Sequence, residues 1–250
     1  MQRDPLPFAR FVPDLPEWVD VRGALLCGRS SVIAASPLTD SFAVVTPHVP
    51  LVCIVGLPDE DVVDEALESV EDAAEPLPVL AVTEATATHV ARVLDGWPCE
   101  AVLIHTRPGP VPRVSDGIDV RWLEPSHAVD PDLLTHVPAG LREEILDAAA
   151  HTPVACAWFD GRPAAFCHAP WLTEGWFDIS IDTLEPYRRR GLGLACAEAL
   201  IGLHEASGRR PVWGAVESNE ASRALAARLG FAPIARLTVF QRPAIFTAGS

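Results

Sequence analysis

Residues 188–193, Arg-Arg-Arg-Gly-Leu-Gly, join three arginines to two glycines directly before a helical pattern. The first turn of a helix carries N–H groups without backbone partners and a partial positive charge. Glycines let an anion approach the main chain closely, and arginine side chains add charge-assisted hydrogen bonds. Because several donors converge, the stretch favours a pyrophosphate over a single carboxylate. The competing interpretation is that the arginine run is only a solvated surface.

Three kinds of phosphate loop can be compared with this stretch. A P-loop requires lysine, and the chain contains none. The dinucleotide-binding fingerprint fails at its third glycine, where Cys196 stands. The coenzyme A pyrophosphate loop, (Gln or Arg)-x-x-Gly-x-(Gly or Ala), is matched at every defined position by residues 188–193. The sequence therefore favours coenzyme A.

The elements around this loop are predicted from hydrophobic periodicity. Residues 176–183 alternate as one strand, with Phe177, Ile179 and Ile181 on one face and Asp178, Ser180 and Asp182 on the other. An amphipathic helix begins at the Gly-Leu-Gly turn. A strand at 211–216 follows, and then a helix with Ser218 or Asn219 as its N-cap and Gly230 at its C-terminal end.

The remaining pattern predicts an α/β protein with a mixed sheet. Further strands are expected at 51–56, 78–83, 100–106, 119–123 and 235–241, helices at 59–73, 84–94 and 138–150, and a hairpin around Asp160-Gly161-Arg162. The Pro-rich residues 107–117 are the best candidate for a linker. We therefore expect a smaller α/β N-terminal domain at 1–106 and a second domain at 118–250.

Composition narrows the classes of partner. The formal net charge of −15 argues against a nucleic-acid partner and is compatible with a cationic amine as substrate. The competing interpretation is that the acidic surface only keeps the protein soluble. The six cysteines are scattered without zinc-type spacing, so we expect reduced thiols and no metal. No apolar run is long enough to span a membrane and no secretory signal is evident, so the expected location is the cytoplasm. A homodimer stays open.

The ordered motifs resemble the Gcn5-related N-acetyltransferase (GNAT) superfamily. The resemblance rests on ISIDTLEPY leading into RRRGLG, on the helix LACAEALIGLH, and on VWGAVESNEASRALAARLGF. It covers residues 117–241 and implies a GNAT-like acyl-CoA-binding fold there, with acetyl-CoA as cosubstrate. The N-terminal half looks like the degenerate acetyltransferase-like half of two-part members.

The resemblance also implies a coenzyme site between the predicted strand 176–183 and the predicted strand 211–216. Main-chain groups there would pair with the pantetheine arm, amides of the loop would hold the pyrophosphate, and an N–H near Ile181 would stabilise the oxyanion. The implied coenzyme-binding residues are Ile181, Asp182, Thr183, Arg188, Arg189, Arg190, Gly191, Leu192, Gly193, Leu194, Asn219 and Ser222.

A general base is expected because the attacking amine must lose a proton. Asp178 is the first choice and Glu174 the second, with His168 and Glu217 as alternatives. Many GNAT members carry a tyrosine as general acid where this chain has Ala226. Water or another group would then act as the acid, or the thiolate would leave without assistance. Trp158, Trp171 and Trp176 either line an apolar acceptor pocket or pack in the core.

Three functional hypotheses follow. The first is an N-acetyltransferase that moves the acetyl group of acetyl-CoA to a primary amine, on a small molecule or a peptide N-terminus, by direct attack on the thioester. The second is an acyl-CoA-binding sensor or regulatory module with little or no transferase activity. The third is an unrelated α/β binding protein.

Overall fold

The computed structural model describes residues 2–70, 77–109, 117–123 and 131–243. The helices are α1 (Val19–Leu26), α2 (Glu60–Glu68), α3 (Glu84–Val93), α4 (Ala139–His151), α5 (Leu192–Glu205) and α6 (Glu220–Arg228). The strands are β1 (Gln2–Arg3), β2 (Ser31–Ile33), β3 (Phe42–Thr46), β4 (Leu51–Val55), β5 (Pro78–Ala81), β6 (Cys99–Thr106), β7 (Asp119–Leu123), β8 (Val154–Phe159), β9 (Arg162–His168), β10 (Trp176–Asp178), β11 (Ser180–Thr183), β12 (Arg210–Val216) and β13 (Ala232–Gln241).

The chain forms two compact units. The first contains 1–104, 215–219 and 234–250, and the second contains 105–214 and 220–233. Of the predicted linker, residues 110–116 lie outside the described residues, as does the end of the predicted helix 59–73 beyond residue 70. None of the helices in the described ranges is long and apolar enough to cross a membrane.

The first unit is built on a sheet in the order β1-β2-β3-β4-β5-β13-β6. Every residue of β3 is buried, and β4 is buried except at its first residue, as expected for continuous apolar runs. Val63 and Ala66 of α2 pack on this sheet in one core cluster with Phe240 of β13. The strand from the C-terminal part of the sequence therefore completes this core, between β5 and β6.

The second unit contains a four-stranded sheet in the order β11-β9-β8-β7. The predicted hairpin between β8 and β9 is confirmed, with Asp160 at φ 48° and Gly161 at φ 77°. Both central residues thus have the positive φ of a type I′ turn, which matches the twist of the flanking strands. Ile145, Ala148 and Ala149 of α4 pack on this sheet, together with Phe166 of β9.

The predicted single strand 176–183 is wrong in one respect, because it is divided at Ile179. β10 pairs in parallel with β12, Asp178 lying opposite Val212. β11 pairs instead with β9 in antiparallel fashion, Ser180 lying opposite His168. The chain thus changes partner within two residues, while the alternation of buried and polar side chains continues across the change.

Helix α5 begins as predicted, directly after Gly191, whose φ of 80° is left-handed. Leu192, Ala195 and Leu200 on the apolar face are buried. His204 lies in the last turn of α5, and its ring centroid is 4.5 Å from the ring centroid of Phe177 in β10. This contact places Phe177 on the face of the strand that α5 covers.

His204 makes stability depend on pH, because burial, reinforced by nearby Arg209, lowers its pKa from 6.5 to about 4. Above pH 6.5 the ring is neutral in both the folded and the unfolded chain. As the pH falls towards 4, only the unfolded chain takes up the proton, so the folded chain loses stability. We expect His204→Phe to reduce the fall in unfolding free energy between pH 7 and pH 4.5 by about 2 kcal/mol. Urea unfolding of both proteins at the two pH values measures this, and an equal fall in both would contradict it.

Candidate functional site

The sheet opens where β10 gives way to β11. After Asp178 the strand no longer pairs with β12, and β11 is the outer strand of its sheet within the described part of the chain. Leu184 N donates to Ala164 O at 3.0 Å, immediately beyond the pair Thr183 and Ala165. Hydrogen-bonded and non-hydrogen-bonded pairs alternate in an antiparallel ladder. The N–H and C=O groups of Ile181 and Thr183 therefore point away from β9, out of this edge.

Asp182 differs from its two neighbours. By the same alternation its main chain bonds to Phe166 of β9, so it has no main-chain group to offer at the edge. Its carboxyl lies near the Arg188 guanidinium, which lowers its pKa, but partial burial is the larger effect and raises the pKa overall. Of the three residues predicted on β11, Ile181 and Thr183 thus have the main-chain geometry to bind an extended ligand.

The arginine-glycine turn follows a short 3₁₀ helix, Glu185–Tyr187. Arg188 Nε donates to Thr183 O at 3.2 Å and ties the turn to β11. Arg190 stacks over the ring of Phe159, 4.5 Å from its centroid. Arg189 has a φ of 62°, the left-handed region that non-glycine residues rarely adopt. All three arginines are exposed.

No side-chain cap hydrogen bond occupies the first amides of α5. Its first turn holds no acidic residue, and Gly191 before it makes no side-chain cap to the helix amides. The N–H groups of Leu192, Gly193 and Leu194 belong to the first turn, whose amides have no intrahelical acceptor. A Cβ on Gly193 would lie 2.8 Å from Thr183 Oγ1, so glycine is required for the close packing of α5 on β11.

Two further predicted coenzyme contacts lie after β12. Ser222 Oγ accepts a hydrogen bond from Trp213 Nε1 at 2.9 Å, linking α6 to β12 inside the second unit. Asn219 lies in residues 215–219, which group with the first unit, and its N–H donates to Val216 O at 2.9 Å. Ala226, where the tyrosine was expected, is fully buried.

The candidate bases have different surroundings. Asp178 ends β10, at the start of the opening. Glu174 is exposed and precedes β10 at the end away from Ile179, so it fits the role less well. Glu217 belongs to the first unit and receives a hydrogen bond from Arg236 Nη2 at 2.9 Å. His168 is buried in β9, and burial lowers its pKa to about 4.

Sequence reasoning missed Glu144 of α4. Its Oε1 accepts from Ser180 Oγ at 3.4 Å and lies 3.8 Å from Nε2 of His168. Partial burial and the neighbouring Asp182 raise the pKa of Glu144. The helix periodicity gave no reason to distinguish Glu144 from the adjacent Glu143, because which of them meets the sheet depends on tertiary packing.

The predicted tryptophans, metal-binding groups and cysteines can be compared with the structure in turn. Trp171 and Trp176 are buried, and Arg121 stacks over Trp158 with its Cζ 4.1 Å from the ring centroid. No group of three His, Cys, Asp or Glu side chains that could hold a metal ion occurs in the described ranges. All six cysteines are free.

The sequence was compared with models of known protein families. Residues 153–240, which include the opening and the arginine-glycine turn, match the family model GNAT acetyltransferase. Residues 153–240 form a GNAT acetyltransferase domain. The resemblance seen in the motifs is confirmed over these residues, and by this domain the chain is an acyltransferase. No curated protein matches the chain.

Solved structures agree on the fold of the GNAT domain and extend it to most of the chain. A GCN5-related N-acetyltransferase-like protein from Streptococcus suis is 18% identical with a TM-score of 0.69, over 94% of this chain and 96% of its own. A tandem GNAT protein from the clavulanic acid biosynthesis pathway is 15% identical with a TM-score of 0.57, over 96% and 92%. A GNAT-family acetyltransferase from Novosphingobium aromaticivorans is 17% identical with a TM-score of 0.57, over 91% and 96%.

Proposed function

We propose that the chain transfers an acetyl group from acetyl-CoA to a primary amine of a small molecule or a peptide N-terminus. The observation that carries the proposal is the change of strand partner at Ile179 beside an uncapped helix N-terminus. The outward-pointing main-chain groups of Ile181 and the N–H of Thr183 would pair with the pantetheine arm, since Thr183 O accepts from Arg188 Nε. The amides of residues 192–194 would hold the pyrophosphate, with Arg189 beside them.

In this proposal the N–H of Ile181 stabilises the oxyanion that forms when the amine attacks the thioester carbonyl. The C–N bond forms, the C–S bond breaks, and the coenzyme leaves as a thiolate. The low pKa of a thiol lets it leave without the tyrosine that Ala226 replaces.

Direct attack is favoured over a route through an acetylated cysteine. Cys156, Cys167 and Cys196 of the second unit are buried. Burial raises the pKa of Cys156 to about 12 and those of Cys167 and Cys196 well above the ordinary value. Because the thiolate is the nucleophilic form, these thiols are poor acyl acceptors at neutral pH.

The N-terminal half is proposed to be a degenerate acetyltransferase-like half. The tandem GNAT protein among the similar structures supports a two-part arrangement. In the first unit β13 lies between β5 and β6, with Thr238 opposite Ala81 and Gln241 N bonded to Pro98 O at 2.9 Å. Residues 1–106 contain no (Gln or Arg)-x-x-Gly-x-(Gly or Ala) motif, so we propose one coenzyme site per chain, in the second unit.

The second candidate function is an acyl-CoA sensor, favoured by the buried Ala226 in place of a general acid. Thiol release from acetyl-CoA, followed with benzylamine, cadaverine and the dipeptide Ala-Ala as acceptors, separates the two. Release that depends on the amine and saturates with it is the result expected for a transferase. Saturable acetyl-CoA binding without release on any amine would identify a sensor.

A further inference from the structure

Glu144, His168 and Ser180 form a polar cluster on the face of the β9–β11 sheet that α4 covers; we call it the α4-face cluster. Ser180 and His168 are register partners on adjacent antiparallel strands, so their side chains share one face. Both meet Oε1 of Glu144, Ser180 Oγ at 3.4 Å and His168 Nε2 at 3.8 Å. Three separate elements thus position one carboxylate.

The opposite face of the same strand is closed. Gly193 of α5 packs so tightly there that an added Cβ would lie 2.8 Å from Thr183 Oγ1 and 3.3 Å from Ile181 Cδ1. Side chains of successive strand residues point to opposite faces, and the contacts of Ser180 with α4 and of Thr183 with α5 follow that rule. The α5 face of β11 is therefore closed to an acceptor at this point, and the polar side chains beside Ile181 lie on the α4 side.

Glu144 lies on that side and is in contact with Ser180, the residue directly before Ile181. Successive Cα atoms of a strand are 3.8 Å apart, so the hydroxyl of Ser180 is within a few ångströms of the Ile181 main chain. The carboxylate is 45% exposed at its side chain, whereas the imidazole of His168 is 8% exposed. Glu144 is accordingly reachable by a ligand, whereas His168 is buried beside it.

We infer that Glu144 is the group that accepts the proton of the acceptor amine, and that the acceptor reaches it as a cation. The inference rests on the proposed transferase function. The ammonium group gives one proton to the carboxylate, and the neutral nitrogen then attacks the thioester carbonyl to form the C–N bond. The C–S electron pair leaves on the coenzyme sulfur, the nitrogen loses its second proton to that thiolate or to water, and Glu144 returns its proton to water.

The charged groups around the cluster agree with a cationic acceptor. Asp182 on β11 raises the pKa of Glu144, Ser180 lowers it, and partial burial is the largest cause of the rise. Asp147 on α4 acts on His168, which burial keeps neutral, and Arg188 acts on Asp182. A carboxyl with a raised pKa is a stronger base than an ordinary glutamate.

The test compares Glu144→Gln with Glu143→Gln, the same change at the adjacent exposed residue of α4. With the best of benzylamine, cadaverine and Ala-Ala, we expect Glu144→Gln to lower kcat/KM about 100-fold or more. The acidic limb of its pH profile should disappear, while the acetyl-CoA Kd and the unfolding midpoint change little. Glu143→Gln should match the wild-type chain, and Glu144→Asp should recover part of the rate.

The outcomes separate this inference from the function on which it rests. If the wild-type chain turns over no amine, both proposals fail. If it turns over and Glu144→Gln keeps a kcat/KM within twofold with its acidic limb intact, this inference alone is overturned. A Glu144→Gln defect confined to acetyl-CoA affinity, with kcat unchanged, would also overturn it, because proton transfer acts on the chemical step.

Discussion

The substitution Gly191→Glu should weaken acetyl-CoA binding by at least about 100-fold, which is about 2.7 kcal/mol. Gly191 has a φ of 80° and precedes the uncapped first turn of α5. A glutamate there places a negative charge where the pyrophosphate is expected, and offers a carboxylate to the same amides. Isothermal titration of acetyl-CoA into the variant measures the loss.

Backbone strain alone is controlled by Gly208→Glu. Gly208 has a φ of 84°, has nothing within 4 Å of an added Cβ, and lies just after the opposite end of α5. The two variants therefore share the cost of a left-handed glutamate and the added charge, and differ in position. We expect Gly208→Glu to bind acetyl-CoA like the wild type. Equal weakening in both variants would contradict the placement of the site.

The substitution Gly193→Val should both destabilise the chain and impair acetyl-CoA binding. The first added carbon would lie 2.8 Å from Thr183 Oγ1 and 3.3 Å from Ile181 Cδ1, so α5 must move away from β11. Overpacking of a buried contact costs about 1 to 3 kcal/mol. The same movement separates the helix amides from the main chain of β11, whose donors are proposed to bind one ligand together. Denaturant unfolding and titration calorimetry measure the two effects.

Gly202→Val is the matched control. It makes the same change in the same helix, at an exposed position where an added Cβ has no neighbour within 4 Å. Helix propensity changes equally in the two variants, so any difference between them comes from the contact with β11. If Gly193→Val were as stable and bound acetyl-CoA as well as Gly202→Val, the close approach would have no functional weight.

Local signals were sufficient to predict much of the second unit. The hairpin followed from Asp160-Gly161, and α5 followed from its apolar spacing after Gly191. The division at Ile179 could not be predicted. The alternation of apolar and polar side chains indicates which residues share a face of a strand, but it does not indicate which neighbouring strand pairs with them. That division is nonetheless the feature that creates the opening.

Long-range pairing also limited the prediction of the first unit. The apolar runs of β4 and β5 were recognised, whereas α1, β2 and β3 were not predicted, although β3 is also a continuous apolar run. The position of β13 between β5 and β6 joins segments that are far apart in the sequence. Glu144 was missed for the same reason, because its partners lie on β9 and β11.

Every proposal made for this chain requires that the second unit bind acetyl-CoA at the opening after Ile179 and the turn before α5. The most direct measurement is isothermal titration of acetyl-CoA into the wild-type chain at neutral pH. We expect saturable binding at one site per chain, with a Kd in the micromolar range, which corresponds to a binding free energy on the order of −8 kcal/mol. Absence of saturable binding, or two equivalent sites per chain, would contradict it.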